Sequence, residues 1–128
     1  MTLLVDTHVL LWWLLNDSRL SRRARKALED PDTQLWASYA SLWEIAIKAS
    51  LGKLNTGGKS VEEIAAELDR QGFSLLPIRI EHLSGVTVLE HLHRDPFDRL
   101  LIAQARELGV PMLTEDNKIR QYPIQTVW

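Results

Sequence analysis

The 128-residue chain has no cysteine. Disulfides, thiolate zinc sites and thiol nucleophiles are therefore excluded, and the composition fits a reducing compartment such as the cytoplasm. Long apolar runs are missing as well. Val9–Leu15 covers seven residues, against the ~20 that a membrane-spanning helix needs. The first residues lead straight into strand-like sequence without a basic leader, so no signal peptide is expected. Neither charge dominates: 15 Lys and Arg against 17 Asp and Glu leave a formal net charge of −2, which exerts no overall pull on nucleic acid. There is no internal repeat, low-complexity tract or long linker. A single domain over residues 1–128 is expected, since 45% hydrophobic and 25% charged residues are ordinary for a globular core of this size.

What is present alternates. Short strand signals at "LLV" (3–5), "QLWAS" (34–38), "FSLLPI" (73–78), "PMLT" (111–114) and, at an edge, "IQTVW" (124–128) are separated by helical stretches. The helices are predicted over 7–15, 21–30, 41–51, 61–70, 81–90 and 97–108. Pro31 stops the second, Gly52 and Gly109 end the third and sixth, and Ser60 caps the fourth, with Glu62 and Glu63 in its first turn. Strands alternating with helices predict an α/β fold, a central parallel β-sheet flanked by helices on both faces. Ligands of such sheets sit outside the carboxyl ends of the strands, where strand order switches.

That rule gives the acidic residues their meaning. Asp6 follows the first strand and Asp116 closely follows "MLT", so both lie at the same edge. Singly, each is explained by capping a helix. In "DPFDRLLIAQA", Pro96 suits the first helical position, which makes Asp95 the N-cap and puts Asp98 at the third position. A capping box prefers Glu or Gln there, so capping explains Asp98 less well than Asp95. Glu44 lies off the apolar face formed by Leu42, Ile45, Ala46 and Ala49, four residues before Lys48, as in a surface ion pair. If Asp6, Asp98 and Asp116 converge, repulsion is severe: two unit charges ~4 Å apart cost about 4 kcal/mol at an effective dielectric of ~20. Either protons are retained or a cation neutralises the cluster. All-oxygen ligands suit Mg²⁺ or Mn²⁺, which can activate water and clamp a phosphate.

"LLVDTHVLLWW", "SLWEIAIK", "DPFDRLLIAQA" and "LTEDNKI" together resemble the motifs of PIN-domain ribonucleases, most closely the VapC-type toxins of bacterial type II toxin–antitoxin pairs. The likeness spans nearly the whole chain, in order. It implies an α/β/α sandwich, a Mg²⁺-dependent acidic site, endonucleolytic cleavage of RNA phosphodiesters, homodimers, and inhibition by a VapB-like antitoxin held in an apolar groove. By motif, Asp6 in "VDT", Glu44 in "WEIA", Asp98 in "DPFD" and Asp116 in "TED" match the catalytic, metal-holding acids, with Thr7 and Thr114 as supporting polar residues. Trp12 and Trp13 suit either a partner surface or a larger core. The basic stretch "SRLSRRARKAL" is a solvated helix face or a phosphate-binding patch, with Arg22, Arg23 and Lys26 as candidates for contacting RNA. His8, His82, His91 and His93 show no convincing metal spacing, so structural or surface roles are expected for all four.

Three other readings compete. A phosphoacceptor receiver domain needs an aspartate closing its central strand, but "SLLPI" ends in Pro77-Ile78. A phosphatase with an aspartate nucleophile needs Asp-x-Asp, and here the triplet is Asp6-Thr7-His8. An inactive PIN-like protein-binding module is opposed by the four retained acids.

Overall fold

The computed structural model describes residues 1–128. Five strands, β1 (Thr2–Val5), β2 (Gln34–Ser38), β3 (Ser74–Leu76), β4 (Met112–Leu113) and β5 (Thr126–Val127), form one sheet. Their order is β3-β2-β1-β4-β5, and every pairing is parallel. Seven helices connect them: α1 (Thr7–Leu14), α2 (Arg22–Glu29), α3 (Tyr39–Ser50), α4 (Val61–Arg70), α5 (Ile80–Thr87), α6 (Pro96–Leu108) and α7 (Asn117–Arg120). The chain builds outward from β1 through β2 to β3, then returns to the other side of β1 with β4 and β5. The switch in strand order therefore falls between β1 and β4.

Alternate residues of a strand face opposite sides, and β1 divides its side chains accordingly. Leu3 and Val5 join a core with Leu10, Leu11 and Trp12 of α1, Ala24 and Leu28 of α2, and Ile64 and Leu68 of α4. Leu4 faces the other way, towards Leu101, Ile102 and Ala105 of α6 and Ile119 of α7. On that second face α5 lies close on α6, where a Cβ on Gly85 would sit 3.3 Å from that of Ala103.

The local signals in the sequence act as expected at most helix ends. Ser60 and Glu63 form a reciprocal capping box. Asp95 accepts the backbone N–H groups of Phe97 and Asp98, with Pro96 as the first helical residue. Gly109 takes the left-handed conformation (φ 66°) that ends α6. Other boundaries differ from expectation. Helix α3 begins at Tyr39, because Ser38 both ends β2 and caps the helix by accepting the Ala40 N–H. Strand β3 stops at Leu76, before Pro77, which has no N–H to continue a ladder. The helix predicted over 81–90 runs from Ile80 to Thr87.

The uniformly apolar α1 is covered by its own chain. Val9, Leu10, Leu11 and Trp12 are buried, and Trp13 to Leu15 are half-buried. Trp12 packs edge-on against Trp128, and the Trp13 indole N–H donates to Gln71 Oε1. Of the two readings open for Trp12 and Trp13, the packing favours the larger core. No helix is long and apolar enough to cross a membrane.

Candidate active site

Asp6 leaves the carboxyl end of β1 as the N-cap of α1. Its side chain is fixed from two sides: Oδ1 accepts the Thr7 N–H at 2.7 Å, and Oδ2 accepts the Thr114 hydroxyl at 2.8 Å. Thr114 follows β4 directly, so this bond straddles the switch point. The Thr7 hydroxyl donates to Ser41 Oγ at 2.8 Å, tying the start of α1 to α3. Both threonines thus contact the Asp6 carboxylate, Thr114 through its side chain and Thr7 through its backbone. Asp116 caps α7 by accepting the Lys118 N–H at 2.8 Å.

Glu44 is buried, at 2% exposure, which corrects the expectation of a surface residue. It lies on α3, a helix that also packs against α6. The ion pair with Lys48 does form, through Oε2, whereas Glu44 Oε1 is buried without any hydrogen-bond partner. Asp98 is also buried, and its Oδ2 lies 3.1 Å from His93 Nε2.

Electrostatics sets these acids apart from ordinary caps. Burial pushes the Asp6 carboxyl up to about 6; the Thr114 hydrogen bond, the charge of His8 and the Thr7 N–H oppose this, and Asp116 reinforces it. Burial likewise pushes Asp98 up to about 8, with added repulsion from Asp95, Asp6, Asp116 and Glu44. The Lys48 ammonium is held more firmly protonated, chiefly by its hydrogen bond to Glu44. The four matched acids thus share one electrostatic neighbourhood. Yet no three of them surround a single ion-sized point. Each carboxylate has its own protein partner: Thr114 for Asp6, Lys48 for Glu44, His93 for Asp98 and the Lys118 amide for Asp116.

Beside Asp6 and Asp116 opens a cleft of about 510 Å³, lined also by His8, Val9, Trp12, Arg19, Glu115, Asn117 and Lys118. The Arg19 guanidinium lies over the Trp12 ring, 5.0 Å from its centroid, and is anchored by Asp17. Arg22, Arg23 and Lys26 are exposed on α2. Arg23 and Lys26 line a hollow with Met1, Asp32 and Thr33, at the opposite end of β1 from Asp6. The basic side chains in the acidic cleft are instead Arg19 and Lys118, which the sequence reading did not single out. For Arg19 the short Asp17-x-Arg19 spacing was an available signal.

The histidines divide. His82 is buried and accepts the Arg79 N–H at Nδ1, a structural role as expected. His91 is exposed, and His8 lines the cleft. His93 contacts Asp98 directly, with Nε2 3.1 Å from Oδ2, which gives it a place beside the acidic edge. The contact joins residues five apart on either side of the turn at Pro96, where spacing rules for regular helices give no hint.

An all-parallel sheet with buried acids near its switch point defines an α/β protein with an acidic edge. The chain belongs to the PIN domain family, which residues 3–125 match. It is 28% identical to ribonuclease VapC22 of Mycobacterium tuberculosis, covering 99% of this chain and 98% of that protein. Its fold resembles a chain in the crystal structure of Rickettsia felis VapBC2 bound to a DNA fragment from their promoter, with a TM-score of 0.72 and 14% identity over 99% of this chain and 98% of that one. A chain of a toxin–antitoxin complex from Klebsiella pneumoniae superposes with a TM-score of 0.66 and 17% identity, covering 98% and 96%.

Proposed function

We propose that the chain is a Mg²⁺- or Mn²⁺-dependent endoribonuclease, the toxin of a type II toxin–antitoxin pair neutralised by a VapB-like antitoxin. The observation that carries this reading is the acidic edge: Asp6, Glu44 and Asp98 are buried near the carboxyl end of the sheet, Glu44 Oε1 has no hydrogen-bond partner, and burial pushes Asp6 and Asp98 up to about 6 and about 8. Such a group of oxygens is costly to ionise alone and suits a hard cation.

The donor chemistry supports that ion. Glu44 Oε1 is a buried acceptor awaiting a partner, and the donor set offers no sulfur. Asp6, Asp98 and Asp116 would hold the cation, with Glu44 turned to it directly or through water. Bound there, it would supply an acidified water and neutralise charge on a phosphate oxygen. The protein's own part is positional. Thr114 and the Thr7 amide fix the Asp6 carboxylate, Lys48 restrains Glu44, and Arg19 and Lys118 offer cations to phosphates entering the cleft. Arg22, Arg23 and Lys26 would extend the contact with RNA beyond the cleft. A homodimer is supported by the exposed stripe Tyr39, Trp43 and Ile47 along α3, continued by Leu51 at its C-cap.

The second reading, an inactive binding module, is favoured by the Glu44–Lys48 pair and by the lack of three acids about one point. Cleavage of RNA with Mg²⁺ or Mn²⁺, abolished by chelator, distinguishes the two. Asp98→Asn should lose about 100-fold or more in turnover, beyond the ~10–100-fold typical of residues that only support a ligand. Cleavage undiminished by rigorous chelation would remove the metal mechanism.

A further inference from the structure

Behind Asp98 stands a polar chain that the functional reading leaves without a role. Arg99, 7% exposed, donates through Nη1 to the Tyr122 hydroxyl at 3.0 Å and to the Glu90 carbonyl at 2.7 Å. Tyr122, 2% exposed, also accepts the backbone N–H of His93 at 3.3 Å. Its oxygen lies 2.8 Å from His93 Nδ1, and the His93 and Tyr122 rings meet edge to face at 5.4 Å. The opposite ring nitrogen, Nε2, faces Asp98 Oδ2 at 3.1 Å.

Proton counting fixes the direction of this chain. A guanidinium and a backbone amide can only donate. Together they fill both lone pairs of the tyrosine oxygen, so its one proton must go to the remaining neighbour, Nδ1. In the neutral imidazole Nδ1 is then the acceptor, and Nε2 carries the hydrogen. The reverse tautomer would give the hydroxyl a third donor and leave its own proton without an acceptor.

We propose that His93 is a positioning residue for Asp98, held by Arg99 and Tyr122 in the Nε2–H tautomer so that it donates to Oδ2 and fixes the carboxylate's orientation. Asp98 Oδ1, which takes no hydrogen bond from the protein, is left for the ligand. The role resembles that of outer partners that orient a metal's ligands, here with histidine as the outer group and carboxylate as the inner one. The claim about ligand orientation rests on the proposed metal-dependent function; the tautomer does not.

Two measurements test it. Long-range ¹H–¹⁵N spectra of the metal-free protein, at a pH where His93 is neutral, should show Nε2 protonated and Nδ1 bare. Tyr122→Phe should shift the population towards Nδ1–H. Calorimetric titration with Mn²⁺ should show about 10–100-fold weaker binding for His93→Ala. His93→Gln, whose carboxamide N–H reaches the position of Nε2, should recover most of that loss. Cleavage of RNA by the same variants should fall in kcat more than it changes KM. A wild-type ring protonated at Nδ1 would overturn the proposal, as would a His93→Ala variant that is less stable yet binds Mn²⁺ like the wild type. If the wild type binds no Mn²⁺, the nuclease reading fails, and the tautomer alone then decides whether His93 orients Asp98.

Discussion

The two faces of the sheet are built differently. On the side of α1, α2 and α4, a large apolar cluster runs from Leu3 and Val5 to Ile64, Leu68 and Phe73, with the buried Thr7–Ser41 hydrogen bond at its edge. On the side of α5 and α6, apolar packing is interrupted by Gln104, bonded to Ser38 and near His82, and by the Arg99–Tyr122–His93 chain. Apolar contacts are non-directional and set shape, whereas buried hydrogen bonds fix angles and are costly when half-made. The first face therefore carries most of the apolar core, the second adds the buried hydrogen bonds behind Asp98, and Asp6 is fixed between them by Thr7 and Thr114.

Removing bulk from the first face should have the largest effect on stability. Leu10, fully buried, should cost about 2–5 kcal/mol when truncated to alanine, with the properties of the acidic edge retained in the folded fraction. Denaturant unfolding followed beside cleavage checks this. Activity falling further than the unfolded fraction accounts for would mean that the first face also aims the site.

The acidic edge should make the metal-free protein pH-sensitive in the opposite sense. Asp6 and Asp98 have folded values of about 6 and about 8, both above the ordinary 3.8. Between pH 5 and 8 the folded chain thus holds more protons than the unfolded one, and stability falls as pH rises. One unit of displacement corresponds to about 1.4 kcal/mol, so the decline should be on the order of 1 kcal/mol or more. Melting temperatures in chelator should drop across that window, and Asp98→Asn should flatten the part between about 6 and 8. A profile rising from pH 5 to 8 would contradict the burial of these groups.

The smallest effect is expected at Asp95, which caps α6 through the Phe97 and Asp98 amides. Asp95→Ala should lose about 1 kcal/mol of stability and keep most of the cleavage activity. Comparing it with Asp98→Asn, inactive but folded, separates the helix cap from the site. The reverse pattern would exchange their roles.

Much of this arrangement was legible in the sequence because it is local. Asp6 closing "LLV", Asp95-Pro96 opening a helix and Gly109 ending it are signals carried by neighbours in the chain. The polar chain behind Asp98 was not legible, since Tyr122 lies 29 residues from His93 and 23 from Arg99. The same holds for Glu44. Its spacing to Lys48 correctly gave the pair, but only the packing of α3 against α6 decides that it is buried. Arg19 was grouped with the basic helix, and its place above Trp12 depends on tertiary folding.

The strand order also has a consequence in time. The bond from Thr114 to Asp6 joins residues 108 apart in a chain of 128. Such closure spans far more chain than the pairing of β1 with β2 or of β2 with β3, and so carries the larger loop-closure cost. On a ribosome, the amino-terminal half would present Asp6 and Glu44 well before Asp98 and Asp116 exist. The edge stays incomplete until Asp116 has been made, so the order of synthesis delays whatever chemistry the finished edge performs.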